Sequence, residues 1–309
     1  SQACSQELAG KDVEIVMLGL DLFPGYDTFT ASNIPVTGIL PILPGDYTAN
    51  ALFLGGGNTT TTAAMAAFAQ QNFDATTAGI VSADNAGANG TEADLKNALD
   101  AAGISYVSIK GGDNETDAGF QGLMSQATAD DPDVLFSLYA DAGCIGTMRG
   151  RSTLGIETPV ITTAICSAAE VIDVVGDEAE GWYFIGASTE ESGTPEADDL
   201  QAILESLGFT NSTELGLGGL GVTGLLSLAT IANAMAADGE EITGASIYET
   251  LGASDGAVNW PDANPFACGA APAYPTICNF IFPIATYVPG TGIETVPGFE
   301  ALDTTPYLP

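Results

Sequence analysis

Histidine is absent from this 309-residue chain, and lysine and arginine together number only 5. Without histidine, the Ser-His-Asp and Cys-His nucleophile systems and the histidine-bearing zinc sites lose their usual components. No other catalytic set of residues is apparent in the sequence. We therefore expect a protein that is not an enzyme, and we expect neither a bound metal nor a cofactor.

The scarcity of bases also sets the charge of the surface. Against the 5 bases stand 40 acidic residues, which gives a formal net charge of −35. Binding of phosphate groups requires clustered lysine and arginine, so nucleic acid and anionic lipid are excluded as partners. The simplest interpretation is a solvated, soluble surface, and the alternatives are a saline or acidic habitat and attraction of cations.

Long apolar runs are missing as well. No stretch of about 18 apolar residues occurs, so we expect no membrane span, and the apolar region 215–237 predicts a core helix. The N-terminus has neither the basic start nor the apolar middle of a signal peptide, and we expect that any targeting segment has already been removed. With 46% hydrophobic residues the chain can bury a core, and its length suggests two domains.

The 5 cysteines include no Cys-x-x-Cys motif, which argues against metal binding and thiol redox chemistry. We predict disulfides between Cys144 and Cys166 and between Cys268 and Cys278, as in proteins of an oxidising, extracytoplasmic compartment. The short spacing of Cys268 and Cys278 favours a local link, whereas buried free thiols are the alternative, chiefly for Cys144 and Cys166. Cys4 is left over, which suggests a partner elsewhere.

Apolar segments rich in Val and Ile alternate with segments of helical periodicity along most of the chain. The predicted strands are 13–18, 35–40, 77–82, 105–110, 133–139, 159–165 and 181–187. The predicted helices are 59–71, 91–102 with Thr91 as N-cap and Gly103 as stop, 118–129, 144–154, 195–207, 219–237 and 243–251. This alternation predicts an α/β fold of mostly parallel sheets with helices on both faces.

Two regions fall outside the alternation. The glycines of "LGGGNTTTT" (54–62) have no P-loop lysine after them, so they support nucleotide binding only weakly. After about residue 253 the chain is rich in Pro, Gly and aromatic residues, with one more predicted strand at 280–288. We interpret this last part as a return crossing followed by a tail on the surface.

Three segments carry a family resemblance: "GIVSADNAGANGTEADLKNALDAAGISYVSIK" (79–110), "ADDPDVLFSLYADAGCIGTMRG" (129–150) and "GDEAEGWYFIGAS" (176–188). They resemble type I periplasmic binding proteins, most closely the branched-chain amino-acid type of ABC-transporter substrate-binding protein. The segments 33–62 and 219–251 match in the same order, so the resemblance covers nearly the whole chain. It implies two lobes, each a mostly parallel sheet with helices on both faces, joined by hinge crossings.

The resemblance places lobe one at 1–57 and 189–256, and lobe two at 58–188 and 257–309. In such proteins about half a lobe precedes the element that 1–18 resembles, so we expect lobe one to be incomplete at its N-terminus. The missing strands are expected from the same gene upstream or from a neighbouring subunit, with a cysteine near Cys4.

In open α/β sheets the ligand binds at the C-terminal ends of the strands. Applied to the family architecture, this rule gives tentative ligand-binding residues on both lobes. They are Asp21, Leu22, Phe23, Pro41 and Ile42 on lobe one, and Asp84, Asn85, Tyr139, Asp141 and Ala164 on lobe two.

The sequence departs from the amino-acid receptors it resembles. Those receptors are similar to one another in offering hydroxyl groups on lobe one, and aromatic rings and an acid on lobe two. Here "DLFPGYD" (21–27) and "LPIL" (40–43) replace the hydroxyl-bearing turns, and Ala164 lies near the expected acid. Tyr139 and Asp141 are the remaining polar candidates, and a strand-end aromatic and a helix N-cap are the alternative interpretation.

Two further patterns have a simple explanation. The acidic runs 130–133 and 189–199 lack the spacing of a calcium-binding EF-hand, and we interpret them as solvated loops and a helix start. Asn-x-Ser/Thr sequons occur at Asn58, Asn89, Asn114 and Asn211. They are glycan acceptors in a glycosylating host, and caps and turns otherwise.

Two functions follow from these observations. The first is an extracytoplasmic receptor that closes over a small, fairly apolar or neutral ligand for an ABC transporter or sensor, with a permease as partner. The alternative is a structural or surface-assembly protein that reuses the fold and forms homo-oligomers. We favour the receptor because of the family resemblance.

Overall fold

The computed structural model describes residues 1–11, 13–21, 23–187, 194–210, 215, 218–254, 258–261 and 263–308. The chain forms two compact units. The first unit consists of Ser1–Asn58 and Glu190–Phe280, and the second of Thr59–Thr189 and Ile281–Pro309.

Helices and strands alternate through most of both units, as the sequence predicts, but the helices Tyr26–Ala31 and Ala169–Val175 and the strand Leu52–Phe53 were not predicted. The helices are α1 (Gln2–Ala9), α2 (Tyr26–Ala31), α3 (Gly57–Phe73), α4 (Ala86–Ala102), α5 (Asp117–Ala127), α6 (Ala142–Leu154), α7 (Ala169–Val175), α8 (Pro195–Leu207), α9 (Gly218–Asp238) and α10 (Gly244–Ala253). The strands are β1 (Val16–Leu18), β2 (Val36–Gly38), β3 (Leu52–Phe53), β4 (Thr77–Ala83), β5 (Ser105–Gly111), β6 (Val134–Leu138), β7 (Val160–Thr163), β8 (Trp182–Ile185), β9 (Val258–Asn259), β10 (Asn264–Pro265), β11 (Ile281–Phe282), β12 (Ile284–Val288), β13 (Gly292–Thr295) and β14 (Leu302–Asp303).

The first unit is built on a three-stranded parallel sheet of order β1-β2-β3. One face, with Val16, Leu18 and Val36, packs against Phe29 of α2. On the other face, Met17, Leu52 and Leu54 pack against residues of α9 and α10. Among the described residues β1 pairs with β2 alone, so the expected second neighbour of β1 stays a prediction.

The second unit contains a seven-stranded sheet of order β13-β12-β8-β7-β6-β4-β5. The strands β5, β4, β6, β7 and β8 are parallel, and β12 and β13 are antiparallel additions at one side. Residues of α3 and α4 cover one face, and residues of α5, α6 and α7 cover the other. The consecutive apolar residues of α3 from Ala63 to Ala69, which include Met65 and Phe68, are all buried, which explains why this part of the helix is apolar around its whole circumference.

These sheets confirm the predicted α/β class with mostly parallel strands. The two predicted disulfides, Cys144–Cys166 and Cys268–Cys278, are both formed, with S–S distances of 2.06 Å and 1.97 Å. Cys4 is an exposed free thiol, and its bond to an outside partner stays a prediction.

The predicted boundary between the lobes at residue 257 is wrong, because the segment 258–280 packs in the first unit. Trp260 is buried against Leu200 and Leu204 of α8. Ile277 extends the first sheet beside Phe53, whose N–H donates to the Thr276 carbonyl at 2.8 Å. The apolar contacts that hold this segment in the first unit come from residues distant in sequence.

Two predicted element bounds also need correction. Helix α4 begins five residues before the predicted Thr91, because the side chain of Asn85 accepts a hydrogen bond from Ala88 N and caps the helix. The predicted strand 280–288 is broken at Pro283, which has no N–H for a ladder and separates β11 from β12.

One helix of the described part, α9, contains a stretch long and apolar enough to cross a membrane, Gly219–Asp238, by length and composition alone. Leu228, Ile231 and Met235 on this helix are buried in the first unit. Because a core helix passes the same test, this feature is weak evidence for a membrane span.

Candidate functional site

The C-terminal ends of the parallel strands form one edge in each unit, and the turns that follow these strands hold the predicted site residues. The turn after β1 in the first unit contains Asp21 and Phe23. The Phe23 N–H donates to Asp21 Oδ1 at 2.9 Å, and the Phe23 ring is 76% exposed. Leu20 in the same turn is 53% exposed, and Leu22 lies outside the described residues. This turn therefore presents apolar side chains to solvent.

The turn after β2 is organised by a buried carboxylate that sequence reasoning missed. Asp46 is 3% exposed, and its Oδ2 accepts hydrogen bonds from Ile42 N at 2.7 Å and Leu43 N at 2.8 Å. Its Oδ1 accepts a bond from the Tyr26 hydroxyl at 2.7 Å. Burial, and then the hydrogen bond to Asp46, raise the pKa of Tyr26. Pro41 is buried, so of the two predicted residues only Ile42 is partly open.

The glycines of "LGGG" serve close packing against this turn. The Gly55 N–H donates to the Ile39 carbonyl at 2.6 Å. Gly57 has φ +65°, and a Cβ atom there would lie 2.5 Å from the Pro41 carbonyl oxygen. Only glycine fits this approach, so the motif has a structural reason.

At the second unit's edge, Asp84 and Asn85 follow β4 and are exposed. The Asp84 N–H donates to the Gly111 carbonyl at 2.7 Å. Asn85 Nδ2 donates to Asp113 Oδ1 at 2.5 Å, and Asn89 Nδ2 donates to Asp84 Oδ1 at 3.3 Å. The loop after β5, which sequence reasoning did not include, thus belongs to the same edge.

Tyr139 follows β6 and is 4% exposed, so its ring is part of the core. The ring lies against Phe120 with centroids 5.4 Å apart, and a Cβ atom on Gly143 would lie 2.4 Å from Tyr139 Cδ1. Its hydroxyl donates to the Gly112 carbonyl at 3.3 Å. Burial, and then the negative charges of Glu115 and Asp113, raise the pKa of Tyr139 to about 12. Through these contacts Tyr139 packs in the core and positions the loop after β5, so it supports the edge from within the protein.

Asp141 occupies the N-cap position of α6 with φ 46° and ψ −117°, and its side chain makes no capping hydrogen bond. Its carboxylate is exposed. The disulfide of Cys144 and Cys166 joins the first turn of α6 to the 3₁₀ turn after β7, where Ala164 is half-buried. The structure therefore holds Asp141 and Ala164 on two turns that one covalent bond connects.

All 5 bases of the chain lie in the described part, and each is bonded within the protein. The ion pairs are Lys11–Glu7, Lys96–Glu92, Lys110–Glu92 and Arg149–Glu178. Arg151 is 8% exposed and donates to the carbonyls of Thr158, Glu157 and Glu180. Within the described residues, no group of three or more His, Cys, Asp or Glu side chains is placed to hold a metal ion.

The sequons differ in their surroundings. Asn114 is exposed in the turn between β5 and α5, and Asn58 is exposed in the first turn of α3. The side chain of Asn89 is bonded to Asp84 and Lys110. Asn211 lies outside the described residues.

Comparison with known proteins identifies a family with this architecture. A family model described as "Periplasmic binding protein" matches residues 6–264 of the chain. No curated protein matches the sequence.

Several solved structures share the fold at low identity. An ABC transporter substrate-binding protein from Sphaerobacter thermophilus is 16% identical, with a TM-score of 0.74 over 98% of this chain and 86% of that one. A branched-chain amino acid ABC transporter protein from Thermus thermophilus, with bound valine, is 10% identical, with a TM-score of 0.71 over 99% and 84%. A leucine binding protein, LivK, from Thermotoga maritima is 14% identical, with a TM-score of 0.67 over 96% and 84%.

Proposed function

Since this chain belongs to the periplasmic binding protein family, we propose that it is an extracytoplasmic substrate-binding protein, which closes over a small ligand and delivers it to an ABC transporter. The observation that carries the proposal is the family match, which extends from residue 6 to residue 264 and so includes most of both compact units. The valine-bound and leucine-binding descriptions of two solved relatives support a small-molecule ligand.

The connectivity supports closure by bending. The chain passes between the two units three times, after Asn58, after Thr189 and after Phe280. Connections of this kind suit two rigid bodies that move about a few connecting residues. We propose these three passages as the hinge crossings.

The ligand-contacting groups of this proposal are the strand-end turns of each unit. In the first unit they are Asp21, Leu22, Phe23, Pro41 and Ile42, and in the second they are Asp84, Asn85, Asp141 and Ala164, with Tyr139 as a support. A permease of an ABC transporter is the proposed partner that receives the ligand.

Small-angle scattering tests the closure. The full chain is purified from its native source, its bound small molecules are released by denaturation and identified by mass spectrometry, and each is added back to ligand-free protein. We expect the radius of gyration to fall on addition of the ligand. A radius that stays constant, with no released molecule and with a homotypic interface above about 1,000 Å², would favour the assembly protein instead.

A matched pair of variants on either side of strand β6 tests the binding edge. Asp130 lies four residues before β6 and Asp141 three residues after it, and both are exposed acids. We expect Asp141→Ala to weaken ligand binding about tenfold, since one hydrogen bond to a charged group contributes about 1.5 kcal/mol or more. Asp130→Ala should leave the affinity unchanged. Equal effects of the two substitutions would contradict the placement of the site.

A further inference from the structure

Every cationic side chain of the protein is already bonded to another group of the protein. Each of its 5 Lys and Arg residues is either ion-paired to a glutamate or donates to main-chain carbonyls. Lys11 is the only base of the first unit, and it pairs with Glu7 on α1. Within the described residues, a ligand carboxylate would therefore find no unpaired Lys or Arg side chain, in a protein whose formal net charge is −35.

Three main-chain N–H groups at the first unit's edge are also committed. The amides of Ile42 and Leu43 both donate to Asp46, and the amide of Phe23 donates to Asp21. Main-chain amides at a turn are the groups that otherwise bind an anion. Here the protein's own carboxylates fill these positions.

At the second unit's edge, the side-chain amides of two asparagines likewise donate to the protein's own carboxylates. Asn85 Nδ2 donates to Asp113, and Asn89 Nδ2 donates to Asp84. An ionised carboxylate can only accept hydrogen bonds, so Asp84, Asp113 and Asp141 offer nothing to a second carboxylate. Like charges at short range also repel each other.

The first unit's edge is apolar where it is open. Phe23 and Leu20 are 76% and 53% exposed, and Ile42 and Leu43 are half-buried. Large apolar side chains that are exposed on neighbouring turns can take part in apolar contacts with a ligand. This edge is suited to an apolar part of a ligand.

We propose that the ligand of this protein carries no carboxylate, and that it is an uncharged or cationic small molecule with an apolar part that contacts the turns after β1 and β2. This inference rests on the proposed function, because it names the chemical class of the ligand for the same site. Transfer of a carboxylate out of water costs several kcal/mol where too few donors replace its hydration, and at this edge the amides of Phe23, Ile42 and Leu43 already donate to the protein's own carboxylates. The amino acids named for the solved relatives are therefore outside the proposed class.

The test uses calorimetry on the full, ligand-free chain with a panel of matched probes. Each L-amino acid is compared with its amide and with the amine that lacks the carboxyl group; for leucine these are L-leucinamide and 3-methylbutylamine. We expect the carboxylate-free members of at least one set to bind at least tenfold more tightly than the amino acid. Amino acids that bind as tightly as their amides would overturn the inference and leave the proposed function standing. A panel without binding, together with no small molecule released from the native protein, would contradict both.

A pair of variants tests the reason for the exclusion. Asp21→Ala releases the Phe23 N–H, whereas Asp27→Ala removes a charge from exposed Asp27 on α2 and releases no amide at the edge. We expect Asp21→Ala to lower the ratio of the affinity for the amide to the affinity for the amino acid at least threefold. Asp27→Ala should leave this ratio unchanged. Melting temperatures verify that both variants are folded. Equal preferences in the two variants would show that the filled amide is not the cause, and would overturn this part of the inference.

Discussion

The hydroxyl of Tyr26 donates to the buried carboxylate of Asp46 across 2.7 Å, and this bond joins the start of α2 to the turn after β2. The two oxygens of Asp46 can accept about four hydrogen bonds, and they accept three, from Tyr26, Ile42 and Leu43. A buried carboxylate of this kind holds its turn in one conformation. The edge that we assign to the ligand is thus fixed before any ligand binds.

Tyr26→Phe should lower the free energy of unfolding by about 1–3 kcal/mol, because it leaves one oxygen of a buried charge without its donor. Urea unfolding measures the change. Tyr248→Phe is the control, since burial raises the pKa of Tyr248 while its hydroxyl makes no hydrogen bond in the described part of the chain. We expect that control to lie within about 0.5 kcal/mol of the unmodified protein. If Tyr26→Phe changed the free energy of unfolding as little as the control does, the hydrogen bond to Asp46 would not stabilise the fold.

Glu92 predicts how stability depends on pH. Its side chain is 2% exposed; burial alone would raise its pKa, but hydrogen bonds from Lys96, Ser108 and Lys110 lower it to about 2 from 4.5. A carboxyl whose folded pKa is lowered stabilises the protein fully above pH 4.5 and loses that contribution as the pH falls toward 2. The shift corresponds to about 3 kcal/mol.

Glu92→Gln should remove this dependence. Unfolding free energies between pH 6 and pH 2.5 are measured for the unmodified chain, for Glu92→Gln and for Glu7→Gln, which removes an exposed acid paired with Lys11. The difference between the unmodified chain and Glu92→Gln should shrink on acidification. A difference that stays constant with pH would refute the low pKa, and Glu7→Gln should follow the unmodified chain.

Arg151 acts through main-chain carbonyls and forms no ion pair in the described part of the chain. It donates to Thr158 at 3.0 Å, to Glu157 at 3.1 Å and to Glu180 at 2.6 Å, and so joins the segments that lead into β7 and β8. We expect Arg151→Met to cost about 3 kcal/mol, because the buried Arg151 side chain loses its hydrogen bonds to three main-chain carbonyls.

Thermal unfolding compares this variant with Arg149→Met, in which a 44% exposed side chain loses its pairing with Glu178. An exposed ion pair contributes about 0–1 kcal/mol, so the control should melt close to the unmodified protein. Similar melting temperatures for the two variants would show that the bonds of Arg151 contribute little.

Elements whose sequence signals lie within a few residues were predicted, whereas features held by residues distant in sequence were missed. Helix α8 begins and ends as predicted because Thr194 caps it, Pro195 occupies its first turn and Gly208 adopts φ 88° after it. The parallel strands of the second unit are mostly apolar and were predicted within a few residues, whereas the two-residue strand β3 was missed. Asp46 was missed because its partners lie 3, 4 and 20 residues away and follow no pattern that a periodicity can detect. The placement of 258–280 failed for the same reason, since Trp260 meets Leu200 only in the folded chain.

The role of Tyr139 is where sequence and structure differ in a way that experiment can decide. The sequence makes Tyr139 a tentative ligand-binding residue, with a strand-end aromatic as the alternative interpretation. The structure gives a ring that is 4% exposed, in contact with Phe120 and Gly143. We expect Tyr139→Ala to lower the free energy of unfolding by about 3–5 kcal/mol, because it leaves a cavity in the core.

Tyr139→Phe separates the two roles. It keeps the ring and removes only the hydrogen bond to the Gly112 carbonyl, so the free energy of unfolding should fall by about 1 kcal/mol. Ligand affinity, measured by calorimetry at a temperature where the variant is fully folded, should stay within a factor of two, because the hydroxyl faces the protein's own loop. If Tyr139→Phe lost affinity at least tenfold while its stability were unchanged, the hydroxyl would be a ligand contact, as the sequence predicts.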